Sequence, residues 1–227
     1  MDVLLESRSE PLGEAQACVL ARKNFLDEDT QRRFYTLFTE RGCWEQRTNK
    51  LFGKEIAQPR LNFNWGVDYS YSGGTNTTKL MDPEINDAII QIKNQIESFL
   101  STRGIGIEFN ECLVQYYRDK NDCVFPHCDN EKGLDPAALV DVAIVTLTEK
   151  TDRILRYTAA GNDVFYRFGK AKEAEKYTKH EKLVDVPLHP GCLLLMSGNS
   201  DHLRHEVPRT RDEVVGRISL SFRRFVS

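Results

Sequence analysis

The sequence has no long apolar run: no stretch approaches the roughly 18 consecutive apolar residues that a transmembrane helix needs. Its opening residues carry no basic start, and Glu6 interrupts their short apolar stretch, so no signal peptide is predicted. A charge excess of one sign is also missing, because 31 lysines and arginines stand against 34 aspartates and glutamates. The composition therefore argues against a membrane-spanning protein and against nucleic-acid binding driven by overall positive charge.

Closely spaced cysteine pairs are missing as well. The sequence holds six cysteines, but none forms a CxxC pair, and the closest spacing, Cys123 to Cys128, matches no common zinc pattern. Without a secretory signal, these residues are expected to be reduced thiols. The expected compartment is the cytoplasm or the nucleus, and we expect a monomer with no membrane partner.

What is present points to one folded domain with helices first. The chain has 227 residues, 40% of them hydrophobic, which is enough for a sizeable core. Residues 27–41 are predicted to be helical, with Asp27 as the cap. A second helix is predicted after Asp82 and Pro83, where isoleucines recur at helical spacing until Gly104 ends the pattern.

The later part of the chain changes to short strand-like runs separated by turn residues. Strands are predicted over residues 111–117, 139–148, 153–157, 183–188, 192–196 and 217–225. Residues 1–20 are expected to form a loosely held arm, and residues 21–227 a single domain with helices in 21–106 and strands in 107–227. This order predicts an α+β fold in which helices pack on a sandwich or barrel.

A first chemical signal is the pair His127 and Asp129. In an extended segment, residues two apart point to the same side of the strand. Together with a distant second histidine, they would make the set of two histidines and one carboxylate that holds Fe(II) and leaves coordination positions open. Such a short motif also occurs in ordinary surface loops, so this pair alone leaves both interpretations open.

A second signal is strict alternation near the C-terminal end of the sequence. The apolar side chains there are Ile218, Leu220 and Phe222, and the polar ones are Arg217, Ser219, Ser221 and Arg223. The polar face is either solvated or turned inward to bind an anion, for which guanidinium groups are suited. The two arginines are separated by roughly 20 Å of strand, too far for both to bind one carboxylate from similar rotamers. Gln115 and Tyr117 also share a face, either as carboxylate-binding groups or as buried polar residues with local partners.

In this order the motifs resemble the AlkB-like family of 2-oxoglutarate- and Fe(II)-dependent dioxygenases. The matching segments are Pro59-Arg60, Tyr69-Ser70-Tyr71-Ser72-Gly73, residues 112–119, His127-Cys128-Asp129-Asn130-Glu131, residues 190–196, His205-Glu206-Val207-Pro208 and residues 217–223. The resemblance implies a double-stranded β-helix, or jelly-roll barrel, braced by N-terminal helices. It also implies that the helical portion contains a nucleotide-recognition lid.

The resemblance implies residue roles. Fe(II) would be held by His127, Asp129 and His205, with His202 as the weaker alternative to His205. The 2-oxoglutarate site would be formed by Gln115, Tyr117, Arg217, Ser219, Ser221 and Arg223. Arg217 would bind the distal carboxylate and Arg223 would lie nearer the metal, while Gln115 and Ser219 stand where many family members carry asparagine.

The resemblance also implies a substrate site and a reaction. Its residues would be Arg60, Tyr69, Tyr71 and Glu131. Glu131 would read the exocyclic group of a base, Tyr71 would pack on that base, and Arg60 would contact a phosphate or the base. The implied reaction uses Fe(II), 2-oxoglutarate and O2 to demethylate N-alkylated bases in DNA or RNA, releasing formaldehyde, succinate and CO2. The mildly acidic charge of the whole chain argues for modest affinity or a single-stranded substrate.

Three alternatives remain at this point. The first is an oxygenase of the same fold that hydroxylates a protein side chain or a small molecule. The second is a non-catalytic binding module on the same barrel, and the third is a cupin-like metal protein that uses no 2-oxoglutarate. The apparently complete metal set argues against the second, and the two arginines argue against the third.

Overall fold

The computed structural model describes residues 2–8, 15–51, 53–71, 74–129, 131–150, 153–160, 164–169, 171, 174–197 and 203–226. Within them the helices are α1 (Glu28–Arg41) and α2 (Pro83–Ser101). The strands are β1 (Asp2–Arg8), β2 (Ala15–Arg22), β3 (Thr48–Leu51), β4 (Lys54–Ala57), β5 (Leu61–Gly66), β6 (Tyr69–Tyr71), β7 (Gly74–Asn76), β8 (Glu111–Tyr117), β9 (Val124–His127), β10 (Val142–Thr148), β11 (Ile154–Ala159), β12 (Val164–Phe168), β13 (Glu175–Tyr177), β14 (Lys182–Pro187), β15 (Leu193–Ser197), β16 (Leu203–Val207) and β17 (Arg217–Arg223).

Two antiparallel sheets make the body of the fold. The large sheet has nine strands in the order β13-β12-β1-β2-β15-β10-β17-β8-β5, and the small sheet has four in the order β14-β11-β16-β9. Two further strand pairs, β3-β4 and β6-β7, lie before α2 in the chain. The predicted α+β class is confirmed, because the helices come early and pack on a sheet structure.

The helices begin where the sequence predicted. Asp27 caps α1 by accepting a hydrogen bond from the Thr30 amide at 2.8 Å, and Asp82 caps α2 by accepting one from the Glu84 amide at 2.9 Å. The periodic apolar residues of α2 are fully buried; they are Ile85, Ile89, Ile92, Ile96 and Leu100. Both helices contribute to the core on one face of the large sheet.

The large sheet is covered on both faces, which explains why its central strands are so apolar. One core lies between the sheet and the helices and includes Val145 and Leu220. The other lies between the two sheets and includes Ile144 and Tyr157. Every residue of β10 is buried, because successive side chains of that strand enter one core and then the other.

The N-terminal segment differs from its prediction. The sequence predicted a loosely held arm over residues 1–20, but β1 pairs with β2 and β12, and β2 pairs with β15. The prediction is therefore wrong for these two segments. Acidic and basic residues within LLESR obscured the strand pattern. In the part of the chain described, no helix is long and apolar enough to cross a membrane.

Candidate functional site

A potential metal-binding triad lies where two strands of the small sheet meet. His127 ends β9 and is the direct register partner of His205 on β16, and Asp129 follows two residues after His127. One ligand atom from each of these side chains lies within 4.8 Å of the others. Asp129 and His205 are only 1% and 5% exposed. The fold thus brings together the three residues that the sequence proposed for iron.

The two histidines are prepared to bind a cation. Nδ1 of His127 lies 2.9 Å from the carbonyl oxygen of Phe125, and since a carbonyl oxygen only accepts, this contact places the proton on Nδ1. The lone pair of Nε2 is then free to face Asp129, which is the arrangement usual for metal-binding histidines. Burial, together with the charge of His127, lowers the pKa of His205 to about 4, so His205 is neutral at pH 7.

The two carboxylate oxygens of Asp129 differ in their hydrogen bonding. Its Oδ1 accepts a hydrogen bond from Arg223 at 2.9 Å, whereas its buried Oδ2 has no hydrogen-bond partner among the residues described. Burial would raise the pKa of this carboxyl, but Arg223 and the two histidines hold it well below its usual range. An ionised, orphaned oxygen beside two imidazole rings fits a divalent cation such as Fe(II).

Arg223 also contacts a second carboxyl group that the sequence analysis missed. Glu111 is fully buried, and its Oε2 lies 3.6 Å from Nη1 of Arg223. Burial raises the pKa of Glu111 from 4.5 to about 8 and also raises that of nearby Glu131. The positive charge of Arg223 is therefore already compensated by carboxyl groups of the protein, chiefly that of Asp129. No sequence motif marked Glu111.

The other arginine of β17 is different. Arg217 is 2% exposed, and its Nη2 donates to the hydroxyls of Thr146 at 3.1 Å and Ser219 at 3.3 Å. Its guanidinium lies 5.3 Å from the centre of the Tyr117 ring. Its Nε and Nη1 have no partner, and no carboxylate pairs with it, within the described part of the chain. A buried cation without a counter-ion is costly, and two parallel N–H donors are suited to a carboxylate. The site therefore fits the distal carboxylate of 2-oxoglutarate.

These groups share one cavity of about 670 Å³. Its lining includes all thirteen residues that the sequence analysis proposed: Arg60, Tyr69, Tyr71, Gln115, Tyr117, His127, Asp129, Glu131, His205, Arg217, Ser219, Ser221 and Arg223. Gln115 accepts a hydrogen bond from the Tyr117 hydroxyl at 3.3 Å. Ser219 is the serine that accepts a hydrogen bond from Arg217. The structure brings the residues together, but their individual roles are proposals.

The proposed substrate residues are held in different ways. Tyr69 is 6% exposed and stacks on Phe225, with ring centroids 4.7 Å apart. It therefore forms part of the cavity wall. The Tyr71 hydroxyl donates to Asn49 at 3.1 Å, so its ring is fixed at the cavity. Arg60 donates to the carbonyl of Cys123 at 3.1 Å through Nη1, while its buried Nε has no partner among the described residues.

A group of amide side chains in the cavity wall was also missed. Gln58 Nε2 donates to Asn49 at 2.8 Å and to the Tyr71 hydroxyl at 3.1 Å, and Asn62 donates to Gln58 at 3.0 Å. The alternation of Leu61-Asn62-Phe63-Asn64-Trp65 was the available signal for a polar inner face. The alternative metal ligand His202 lies outside the described residues.

Comparison with known proteins gives consistent results. A family model described as the 2OG-Fe(II) oxygenase superfamily matches residues 18–223. The chain is 27% identical over 220 residues to the alpha-ketoglutarate-dependent dioxygenase alkB homolog 3 of Bos taurus, covering 96% of this chain and 69% of that protein. The human protein of the same name is 28% identical over 182 residues, covering 79% of this chain and 56% of that protein. The human DNA oxidative demethylase ALKBH2 is 24% identical over 181 residues, covering 78% of this chain and 60% of that protein.

Solved structures share the fold at low sequence identity. A prolyl hydroxylase from Trichoplax adhaerens, solved with a hypoxia inducible factor peptide fragment, has a TM-score of 0.54 at 13% identity, covering 91% of this chain and 83% of that one. A Pseudomonas putida prolyl-4-hydroxylase has a TM-score of 0.50 at 15% identity, covering 92% of this chain and 93% of that one. These likenesses confirm the predicted jelly-roll fold.

Proposed function

This chain belongs to the 2OG-Fe(II) oxygenase superfamily, and on that premise we propose that it uses Fe(II), 2-oxoglutarate and O2 to demethylate N-alkylated bases of nucleic acids. The chain spans 56% to 69% of the length of its alkB homolog 3 relatives from human and cattle, so activity and substrate are both part of the proposal. Support comes from the name of a similar protein, a DNA oxidative demethylase, and from the cavity described above.

The observation that carries the proposal is the pairing of two incomplete sites in one cavity. At one, three metal-ligand side chains converge around the orphaned Oδ2 of Asp129. At the other, the buried guanidinium of Arg217 lacks a carboxylate among the residues described. A metal protein without a diacid cosubstrate has no use for such an arginine.

In the proposed mechanism, Fe(II) would be held by His127, Asp129 and His205. When bound with 2-oxoglutarate, it supplies the oxidation of a C–H bond on the alkyl group by O2. Arg217 binds the distal carboxylate and so fixes the cosubstrate, while Arg223 orients Asp129 through its bond to Oδ1. The burial of these groups excludes water from the site.

The remaining residues orient the base. Tyr71 supplies an aromatic face at the wall of the cavity, and Glu131 supplies a carboxyl group, whose pKa is raised by burial, to hydrogen-bond the base. Gln115 and Tyr117 complete the wall between base and cosubstrate. Arg60 contributes the unpartnered Nε noted above.

The substrate proposed is single-stranded DNA or RNA. A base in a single strand needs no extrusion from a duplex, and the net charge of −3 provides no general attraction for a polyanion. A monomer is proposed as well. The proposed compartment is the cytoplasm or the nucleus, because none of the six cysteines forms a disulfide, as is usual in reducing compartments.

The test is turnover of short methylated oligomers. Fe(II) and 2-oxoglutarate are added without oxygen, air is admitted, and mass spectrometry follows the oligomer while succinate is measured. We expect succinate and loss of one CH2 unit from the oligomer, both abolished in Asp129→Ala and retained in the exposed control Asp212→Ala. Succinate without a change in any oligomer would move the substrate to a protein or small molecule. No succinate with verified iron loading would contradict the oxygenase activity itself.

A further inference from the structure

One exposed aromatic side chain stands at the cavity without any role in the mechanism above. Phe125 lies on β9 and is 64% exposed. Within the described residues, the exposed large hydrophobic side chains are Ile56, Val67, Leu80, Phe125, Leu139 and Val226. Phe125 is the one aromatic residue among them, and of the six it alone lines the cavity.

The backbone holds this ring beside the metal-ligand set. Phe125 lies two residues before His127, in a stretch where the pairing of β9 with β16 is irregular, and both residues line the cavity. The carbonyl of Phe125 accepts the hydrogen bond from His127 Nδ1 at 2.9 Å. Val124 and His127, on either side, pair with Val207 and His205 on β16. The ring is therefore presented from a fixed backbone at the open side of the cavity.

Positive charge lies next to the ring. Arg204 donates to the carbonyl of Pro126 at 2.9 Å through Nη2, and its Nη1 lies 2.8 Å from Nδ1 of His180. Lys132 is exposed and lines the same cavity. Among the residues that the structure describes, no carboxylate forms an ion pair with either cation. An exposed aromatic face flanked by uncompensated cations is the arrangement by which proteins bind single-stranded nucleic acids.

We propose that Phe125 is the stacking platform for the nucleotide next to the target base in a single-stranded substrate, with Arg204 and Lys132 beside the intervening phosphates. This inference rests on the proposed function and specifies its substrate class. Neighbouring nucleotides of a strand are about 3.4 Å apart when stacked. Phe125 and His127 line the same cavity, so a base whose alkyl group lies at His127 has its neighbour within reach of Phe125. In a duplex, that neighbour stays paired and stacked on its own strand and cannot use the ring.

The test compares KM values for two substrates. One is a methylated single-stranded oligomer with purines on both sides of the target, and the other is the same oligomer with abasic sites in place of those purines. For the wild-type protein, we expect removal of the flanking bases to raise KM about ten-fold, the usual order of one base–aromatic stack. Phe125→Ala should raise KM for the full oligomer by a similar factor and lose the difference between the two substrates.

Two variants serve as controls. Phe125→Tyr keeps an aromatic ring and should restore the preference for flanking bases. Leu139→Ala removes an apolar side chain of equal exposure, 65%, that does not line the cavity, and should behave as the wild type. Equal KM values for wild type and Phe125→Ala on the full oligomer would overturn the inference, as would an equal loss on both substrates.

A binding measurement separates this inference from the proposed function. With 2-aminopurine as the flanking base, stacking on Phe125 should quench its fluorescence in the wild type and not in Phe125→Ala, and no turnover is needed to see this. Turnover without ring-dependent quenching would overturn the inference alone. Ring-dependent quenching without demethylation would support a stacking site but contradict the proposed reaction, and absence of both would overturn both.

Discussion

The two faces of β17 are buried to nearly the same extent but have opposite chemistry. On the side of the helices, Ile218, Leu220 and Phe222 are 0% exposed. On the side of the cavity, Arg217 and Arg223 are 2% and 4% exposed. The apolar face needs no ligand, because its side chains pack against other side chains of the core. The polar face leaves buried N–H groups of both arginines without hydrogen-bond partners among the residues described.

This difference separates stability from binding within one strand. Burying apolar surface stabilises the fold directly, whereas burying a guanidinium without a counter-ion opposes folding until a ligand compensates it. Residues kept for a binding site commonly lower stability in this way. Substitutions on the two faces should therefore have separable consequences, and four predictions test this, in order of decreasing expected effect.

On the apolar face, Leu220→Ala should lower the free energy of unfolding by about 3 to 5 kcal/mol, because it leaves a void in a packed core. The folded fraction should bind 2-oxoglutarate with nearly wild-type affinity. Urea unfolding measures the first quantity, and calorimetric titration of 2-oxoglutarate measures the second. Ile218→Val, the mild control, should cost about 1 kcal/mol. A large loss of affinity in folded Leu220→Ala would show that the two faces are not separable.

On the polar face, Arg217→Met should weaken 2-oxoglutarate binding roughly 100-fold, because a buried charged hydrogen-bonding partner is lost. The ligand-free protein should unfold at the same or a higher urea concentration than the wild type, because an unpaired buried charge has been removed. Arg217→Lys keeps the charge but not the forked geometry of the guanidinium. Its affinity for 2-oxoglutarate should lie between those of the wild type and Arg217→Met. Destabilisation of Arg217→Met comparable to that of Leu220→Ala would contradict the comparison.

At the metal end of the polar face, Glu111 should make stability depend on pH. Its folded-state pKa is raised to about 8 by burial, so the folded state prefers the protonated form while the unfolded state ionises near 4.5. Wild-type stability should therefore fall, relative to Glu111→Gln, as pH rises from about 5 to 8, on the order of 1 kcal/mol per pH unit. The difference should level off above pH 8. Urea unfolding of both proteins at several pH values measures it, and a flat difference would contradict the raised pKa of Glu111.

The smallest effect is expected for Ser219→Ala, which removes one of the two hydroxyl groups that accept hydrogen bonds from Arg217. We expect 2-oxoglutarate affinity to fall about three- to ten-fold, which corresponds to about 1 kcal/mol. Ser221→Ala provides a matched control, because no hydrogen bond joins Ser221 to Arg217. The same titration measures both, and equal losses would show that Ser221, not only Ser219, supports the arginine.

The sequence predicted the alternation of β17 but not which face would be enclosed. Alternation depends only on local geometry, so the division of the side chains into two sets followed from residue order alone. Enclosure of the polar face depends on the small sheet, whose strands β9 and β16 are only four and five residues long and were not predicted. His127 and Asp129 are close in sequence, whereas His205 could be added only through the family resemblance. Glu111 remained hidden because its partner Arg223 is distant in the chain.

The position of β17 also has a consequence for synthesis on the ribosome. It lies between β10 and β8 in the sheet, yet β8 ends at Tyr117 and β17 begins only at Arg217. At translation rates of about 5–20 residues per second, β8 is synthesised roughly 5 to 20 seconds before β17. The edge of β8 that pairs with β17 stays unpaired during this time. During that interval, apolar strands are open to pairing with other nascent chains. Binding of 2-oxoglutarate cannot shorten this interval, because Arg217, the residue proposed to bind it, is synthesised as part of β17.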